Sequence, residues 1–236
     1  MFAPCASQGV KCWGWNAFGQ LGLGDVLPHY SGPGRLPAPP EALPRTSRGL
    51  FDILRTRRSR RDYTAQSLTL VELSSLLWSA QGVVEAGRGF TLRTSPSGGA
   101  RHPFETYLAV FRVEGVDPGL WRYQPVEHRL CRLGRPVEGM AAELDAALFE
   151  QLFGCAVAFL WTAVPYRTEW RYHAVSHKVI LLDAGHLCQN LYLAAESIGC
   201  GTCGLGAYDQ PALDRFLGVD GVEELAVYAA PVGRRQ

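Results

Sequence analysis

An α+β domain is the fold class this sequence predicts, on three observations. Helical and strand patterns mix along the chain without the strict alternation of a parallel α/β sheet. A continuous apolar run, Ala156–Val164, reads as a strand buried on both faces. A longer segment, His177–Ile198, is apolar nearly all round and reads as a buried central helix. With 236 residues, 47% of them hydrophobic and 19% charged, the chain has room for one ordinary domain and an appendage.

The N-terminal stretch differs in kind from the rest. Residues 10–25, VKCWGWNAFGQLGLGD, resemble one blade motif of the regulator-of-chromosome-condensation propeller repeats. No second copy follows, and a lone blade cannot bury its own face. Residues 1–28 are therefore expected to be a repeat-like leader. Residues 29–46, rich in proline and glycine, are expected to be an extended linker to a domain covering 47–236. Within that domain Ser47–Ser59 has helical spacing, with Leu50, Ile53 and Leu54 on one face. Thr69–Ala80 gives a sharper signal: Thr69 and Glu72 form a capping box, Leu70, Leu73, Leu76, Leu77 and Ala80 make the apolar stripe, and Gly82 follows the end. Beyond it the pattern predicts a strand at Phe104–Val113, a hairpin at 119–133 and a helix at Val137–Glu150. After the buried strand and the long helix come a short helix, Pro211–Leu217, and a last strand, Glu224–Ala230.

Composition narrows the function. A formal net charge of +1 argues against a nucleic-acid or membrane-surface binder, which needs a basic excess. No apolar run approaches the ~18–20 residues of a membrane span. The start, MFAPCASQGV, lacks a basic leader and an apolar stretch, and the seven cysteines are an odd, scattered set, so a reduced cytoplasmic protein is expected. Cys200-x-x-Cys203 follows a helix rather than opening one, which removes the electrostatics that acidify a redox thiol. Without a partner pair it is no zinc half-site. His173 and His177, four apart with His186 nearby, lack the glutamate of a metalloprotease motif, and no metal site is expected. Gly199-x-Gly201-x-x-Gly204 has the dinucleotide-binding spacing without its strand–turn–helix context.

Chemistry concentrates in three other stretches. RTRRSRRDY, residues 55–63, gathers five arginines and a serine. Cations favour a helix C-terminus, but guanidinium forks also grip phosphate bidentately and keep their charge at any working pH. RTSPSGGARHPFETYLAV, residues 93–110, sets Ser95, Pro96, Ser97, Gly98 and Gly99, with the cation Arg101, directly before a strand. It reads either as an ordinary turn or as a bare backbone that lets amides approach a flat polar ligand. GCGTCGLGAYD, residues 199–209, is a third glycine-rich segment able to face a ring system.

Taken in order, these stretches resemble the FMN-dependent nitroreductase superfamily, most closely the azoline dehydrogenases of thiazole/oxazole-modified peptide pathways, the SagB type. GLWRY, LLDAGHLCQNLYLAAESIGCG and the terminal YAAPVG fall in the family's order, so the resemblance covers about residues 36–233. It implies a nitroreductase-like fold, with a central mixed or antiparallel sheet, flanking helices and the long helix at a homodimer interface. It implies FMN bound in a groove shared between subunits. Arg57, Arg58, Ser59 and Arg61 would hold the phosphate, ribityl chain or pyrimidine edge, and Arg234 or Arg235 would return to the phosphate. Ser95, Pro96, Ser97, Gly98 and Gly99 would approach the flavin from the partner subunit. Gly204, Leu205 and Gly206 would pass along the isoalloxazine, with a backbone N–H near N5 favouring the reduced flavin. The family's Lys-Tyr pair ahead of the long helix corresponds here to Arg171-Tyr172. Arginine is no base near neutral pH, whereas Tyr172 is able to act as acid, base or hydrogen-bond donor. Packing of Trp170 and Tyr172 at a helix start is the alternative reading. The substrate implied is a small molecule or modified peptide, with two directions open: dehydrogenation, or nitro or quinone reduction with NAD(P)H as co-substrate. An interaction module served by the leader, and a flavin-fold scaffold without turnover, are the competing classes.

Overall fold

Alternation along two innermost strands gives this protein a sheet with two apolar faces. The computed structural model describes residue 36, residues 48–87 and residues 90–236. Its helices are α1 (Leu50–Thr56), α2 (Leu70–Gln81), α3 (Met140–Ala147), α4 (Tyr166–Tyr172), α5 (Ser176–Ser197) and α6 (Gln210–Leu217). Its strands are β1 (Val83–Gly87), β2 (Phe90–Arg93), β3 (Phe104–Val110), β4 (Gly119–Gln124), β5 (Arg129–Arg132), β6 (Val157–Ala163), β7 (Cys200–Thr202) and β8 (Leu225–Arg234). Strands β1 and β2 form a separate ribbon; the other six pair antiparallel in the order β5-β4-β3-β6-β8-β7.

Every residue of β3 and β6 is buried. On one face Leu108, Val110, Phe159 and Trp161 pack with the apolar sides of α2 and α5. On the other, Ala109, Ala158 and Leu160 pack with Met140 and Leu144 of α3 and with Leu213 and Phe216 of α6. This is the α+β architecture that the sequence predicts, with the central sheet and flanking helices that the resemblance implies, and the six-stranded sheet is antiparallel between all its named strands.

The boundaries differ where local backbone chemistry overrides the apolar pattern. The capping box forms as expected: Thr69 Oγ1 accepts the Glu72 N–H, and Glu72 accepts the Thr69 N–H. Helix α3 is shorter than Val137–Glu150, because Gly139 enters at φ +74° and Phe149 and Glu150 take positive φ after its end. Strand β3 stops at Val110, and Val113 instead bridges to Leu68. Strand β8 runs through Pro231 to Arg234, pairing Ala158 with Pro231 and Cys200 with Arg234. The β1–β2 ribbon and helix α4 have no counterpart in the sequence expectation, and the glycine-rich segment opens as strand β7. Of the expected linker, Leu36 is buried, its N–H donating to the His128 carbonyl at 2.9 Å. The rest of the expected leader and linker lies outside the described residues.

Candidate functional site

Three distant stretches converge at the β7 edge of the sheet. The arginine-rich segment runs alongside β7: Ser59 bridges Thr202 in parallel, and the Arg60 N–H donates to the Thr202 carbonyl at 3.0 Å. Tyr63 bridges Arg235, which adds the C-terminal residues. The Tyr192 hydroxyl of α5 sits between the parts, 3.0 Å from Ser59 Oγ and accepting the Gly204 N–H at 2.7 Å. The Arg57 guanidinium lies over the Tyr192 ring, 5.1 Å from its centroid. Arg58 and Arg61 are exposed, and among the described residues no carboxylate pairs with Arg57, Arg58 or Arg61.

Other arginines nearby are already committed. Glu196, only 2% exposed, draws in Arg48, Arg60 and Arg235. Burial would raise its carboxyl, but the Thr56 and Arg48 hydrogen bonds and the Arg235 and Arg60 charges hold it below the ordinary value. Arg234 is bound to Glu72 and to the Ile198 carbonyl. In the glycine-rich segment the Leu205 N–H is also taken, by the Ala229 carbonyl at 2.7 Å, and of Gly204, Leu205 and Gly206 it is Gly206 that stands exposed, with nothing within 4 Å of the place a Cβ would occupy. Cys155, Cys188, Cys200 and Cys203 are buried and form no disulfide; burial pushes the Cys200 thiol up to about 11. That is inert chemistry for Cys200.

The Ser95–Gly99 turn forms a second cluster. Ser97 Oγ donates to Asp183 Oδ2 at 2.6 Å and accepts the His102 N–H at 2.9 Å, while the Gly98 N–H donates to the same carboxylate at 3.0 Å. Ser95 is buried and Pro96 exposed. Asn190 of α5 anchors the approach, donating to the Thr94 and Ser79 carbonyls. Gly99, Ala100 and His102 all have positive φ, at +59°, +52° and +46°, and such strain collects where structure over-determines a functional turn. Arg171 and Tyr172 close over it: a Cβ on Gly99 would stand 2.9 Å from Arg171 Nε and 3.0 Å from Tyr172 Oη. Both lie in the last turn of α4, not at the start of the long helix, and Trp170 is 47% exposed under Arg101, so the packing alternative is corrected for Trp170.

A buried ion cluster sets α4 in place. Glu105 of β3 binds Arg122 Nη2 at 2.6 Å and Arg167 Nη2 at 2.5 Å. Burial alone would raise the Glu105 carboxyl, but the two guanidiniums outweigh it and hold it at about 2. Arg167 belongs to α4, so this pairing fixes the helix that presents Arg171 and Tyr172.

Sequence reasoning missed Asp183, Tyr192 and Glu196, all on α5. The available signal was an acidic or hydroxylated side chain recurring on an otherwise apolar helix, where it must find a partner.

The comparisons with known proteins bear on this architecture. The family model for nitroreductases matches residues 54–234. The chain belongs to the nitroreductase family. It is 37% identical over 188 residues to MJ1384 of Methanocaldococcus jannaschii, a protein assigned to the nitroreductases, covering 79% of this chain and 91% of that one. It is 30% identical over 148 residues to the trifolitoxin-processing protein TfxB of Rhizobium leguminosarum bv. trifolii, covering 60% of this chain but 39% of that one. The fold is shared with the E. coli microcin synthetase McbBCD complex bearing truncated pro-MccB17, at a TM-score of 0.65 and 18% identity, over 78% of this chain and 72% of that one. Nitroreductase-family proteins are oxidoreductases that typically bind flavin and are typically dimeric. The propeller-repeat resemblance of residues 10–25 finds no support; the family match begins beyond it, and those residues lie outside the described ones. Among the described residues, no helix is long and apolar enough to cross a membrane.

Proposed function

We propose that this nitroreductase-family protein is an FMN-dependent oxidoreductase, SagB-type dehydrogenase-like, working as a homodimer that shares its flavin sites between subunits. The observation that carries the reading is the placement of the two clusters on α5. Asp183 and Tyr192 are nine residues apart, which is about 13 Å of rise and, at about 100° per residue, opposite sides of the helix. An exposed stripe, Lys178, Leu181, Leu182, Gly185 and Gln189, shares the Tyr192 side of the helix and faces away from the buried Asp183, with Leu181 61% and Leu182 56% exposed. A second copy docked along that stripe would sit beside the Tyr192 and Arg57–Arg61 cluster, where it would complete the flavin site from across the interface.

The residues present fit a phosphorylated flavin. Among the described residues Arg57, Arg58 and Arg61 have no carboxylate partner, and Arg57 lies over the Tyr192 ring whose hydroxyl meets Ser59. Arg234 and Arg235 would serve by position, since Glu72 and Glu196 already hold them. Because the Gly204 and Leu205 amides donate within the chain, Gly206 is the amide left to meet the ring edge. Bound FMN would supply hydride acceptance and donation. Around it this chain's residues would exclude water, orient the substrate and, at Tyr172 Oη, hold or move a proton.

Peptide dehydrogenation is supported by the likeness to TfxB, and reduction of small acceptors with NAD(P)H by the likeness to MJ1384. Anaerobic stopped-flow mixing of the flavin-loaded protein with NADPH separates them. Bleaching of the flavin favours the reductase direction. Bleaching only by an azoline-bearing peptide favours the dehydrogenase. Reduction by dithionite alone, with no organic donor effective, would overturn the enzymatic reading in favour of a scaffold.

A further inference from the structure

Two guanidiniums clasp one glycine at the mouth of the Ser95–Gly99 turn. Arg101 Nε donates to the Gly99 carbonyl at 2.9 Å, and its guanidinium carbon lies 4.8 Å from the Trp170 ring centroid. Arg171 Nε lies 2.9 Å from the position a Cβ on Gly99 would take, with Tyr172 Oη at 3.0 Å from the same point. Partial burial and the neighbouring Arg171 charge lower the Arg101 pKa, as expected of like charges held close.

Neither cation has a carboxylate partner among the described residues. Asp183, which reaches the same turn, is occupied by Ser97 and the Gly98 N–H. Glu169 is two residues from Arg171 on α4, which sets the pair on opposite sides of the helix. Two adjacent positive charges that could each have been neutralised, yet are not, repel one another until an anion joins them. Stacking on Trp170 holds one fork in place ahead of any ligand, at little further entropy cost.

We infer that Arg101 and Arg171 form an oxyanion subsite beside Tyr172, taking a carboxylate or phosphate carried by the substrate. That the anion belongs to a substrate rests on the proposed active site; the binding of an anion does not. The test is calorimetric titration of the flavin-saturated protein with benzoate, phenyl phosphate and, as a neutral control of the same shape, benzamide. One or both anions should bind at least roughly tenfold tighter than benzamide, and more weakly as salt rises. Arg101→Gln and Arg171→Gln should each remove that preference while leaving the circular dichroism spectrum unchanged. Tighter benzoate identifies a carboxylate substrate, and tighter phenyl phosphate a phosphate-bearing one. Equal binding of benzamide, or anion affinity untouched by both substitutions, overturns the subsite. A protein that takes up no flavin but still prefers the anions would sink the proposed function and leave the subsite standing.

Discussion

Asp183 carries the Gly98 amide and the Ser97 hydroxyl on one buried carboxylate, at 3.0 and 2.6 Å. One side chain of the central helix thereby fixes the turn that the resemblance assigns to the flavin. A charge-assisted hydrogen bond contributes about 1.5–3 kcal/mol, and Asp183 makes one with each of two donors. Asp183→Ala should therefore lower flavin affinity by roughly tenfold or more while the fold persists. Asp183→Asn, which keeps an acceptor, should fall between. Fluorescence titration with FMN measures both, and unchanged affinity in the alanine variant would remove Asp183 from the site.

Arg57→Ala combined with Arg61→Ala should deplete the protein of flavin. These guanidiniums have no carboxylate among the described residues, so their loss leaves a phosphate in a partly dry groove without its partners. Arg55→Ala is the control, since Arg55 is already paired with Asp52 on the exposed side of α1. Flavin-to-protein ratios after gel filtration decide the matter; equal ratios in the double variant and the control would count against the phosphate site.

Tyr172→Phe should slow turnover far more than it weakens flavin binding. The hydroxyl stands over Gly99, whereas the ring already has its packing from Arg171 and the turn. General acid–base groups contribute typically ~10²–10⁴-fold. A decrease in kcat of that order with unaltered flavin content supports a proton-handling role, and full activity excludes one.

Acid should destabilise the protein in two overlapping windows. Burial, followed by the Arg93 charge, lowers the His102 imidazole from 6.5 to about 3. The folded state keeps it neutral where the unfolded chain protonates it. Its contribution is whole above pH 6.5 and drains as pH falls from 6.5 toward 3, by up to about 1.4 kcal/mol per pH unit. Glu105 adds stability that is present above pH 4.5 and lost as pH falls toward 2. Urea midpoints should therefore drop between pH 6.5 and pH 4.5, and His102→Gln should flatten that slope. A wild-type midpoint constant across the interval would contradict the buried, neutral histidine.

Much of this fold is legible in the sequence because local rules and global fold agree there. The capping box at Thr69, the apolar run of β6 and the length of α5 each follow from spacing alone. The β1–β2 ribbon does not, since Val84, Phe90 and Leu92 are exposed and give no alternation against a core. Helix α4 is hidden for a different reason: Arg167 is buried only because Glu105, 62 residues earlier, neutralises it. The arginines show the same limit at the site. Composition marks the cluster at residues 55–63, but which members are free depends on Glu196, and that pairing exists only in three dimensions.

The central claim is a flavin held between two copies of this chain, and the visible absorption spectrum of the purified protein, recorded together with its mass in solution, tests it most directly. The account predicts a yellow dimer with about one FMN per chain, and loss of both colour and dimer when Leu181 and Leu182 are replaced by glutamate, which removes about 2 kcal/mol of apolar burial per leucine. A colourless monomer that takes up no added FMN would contradict it.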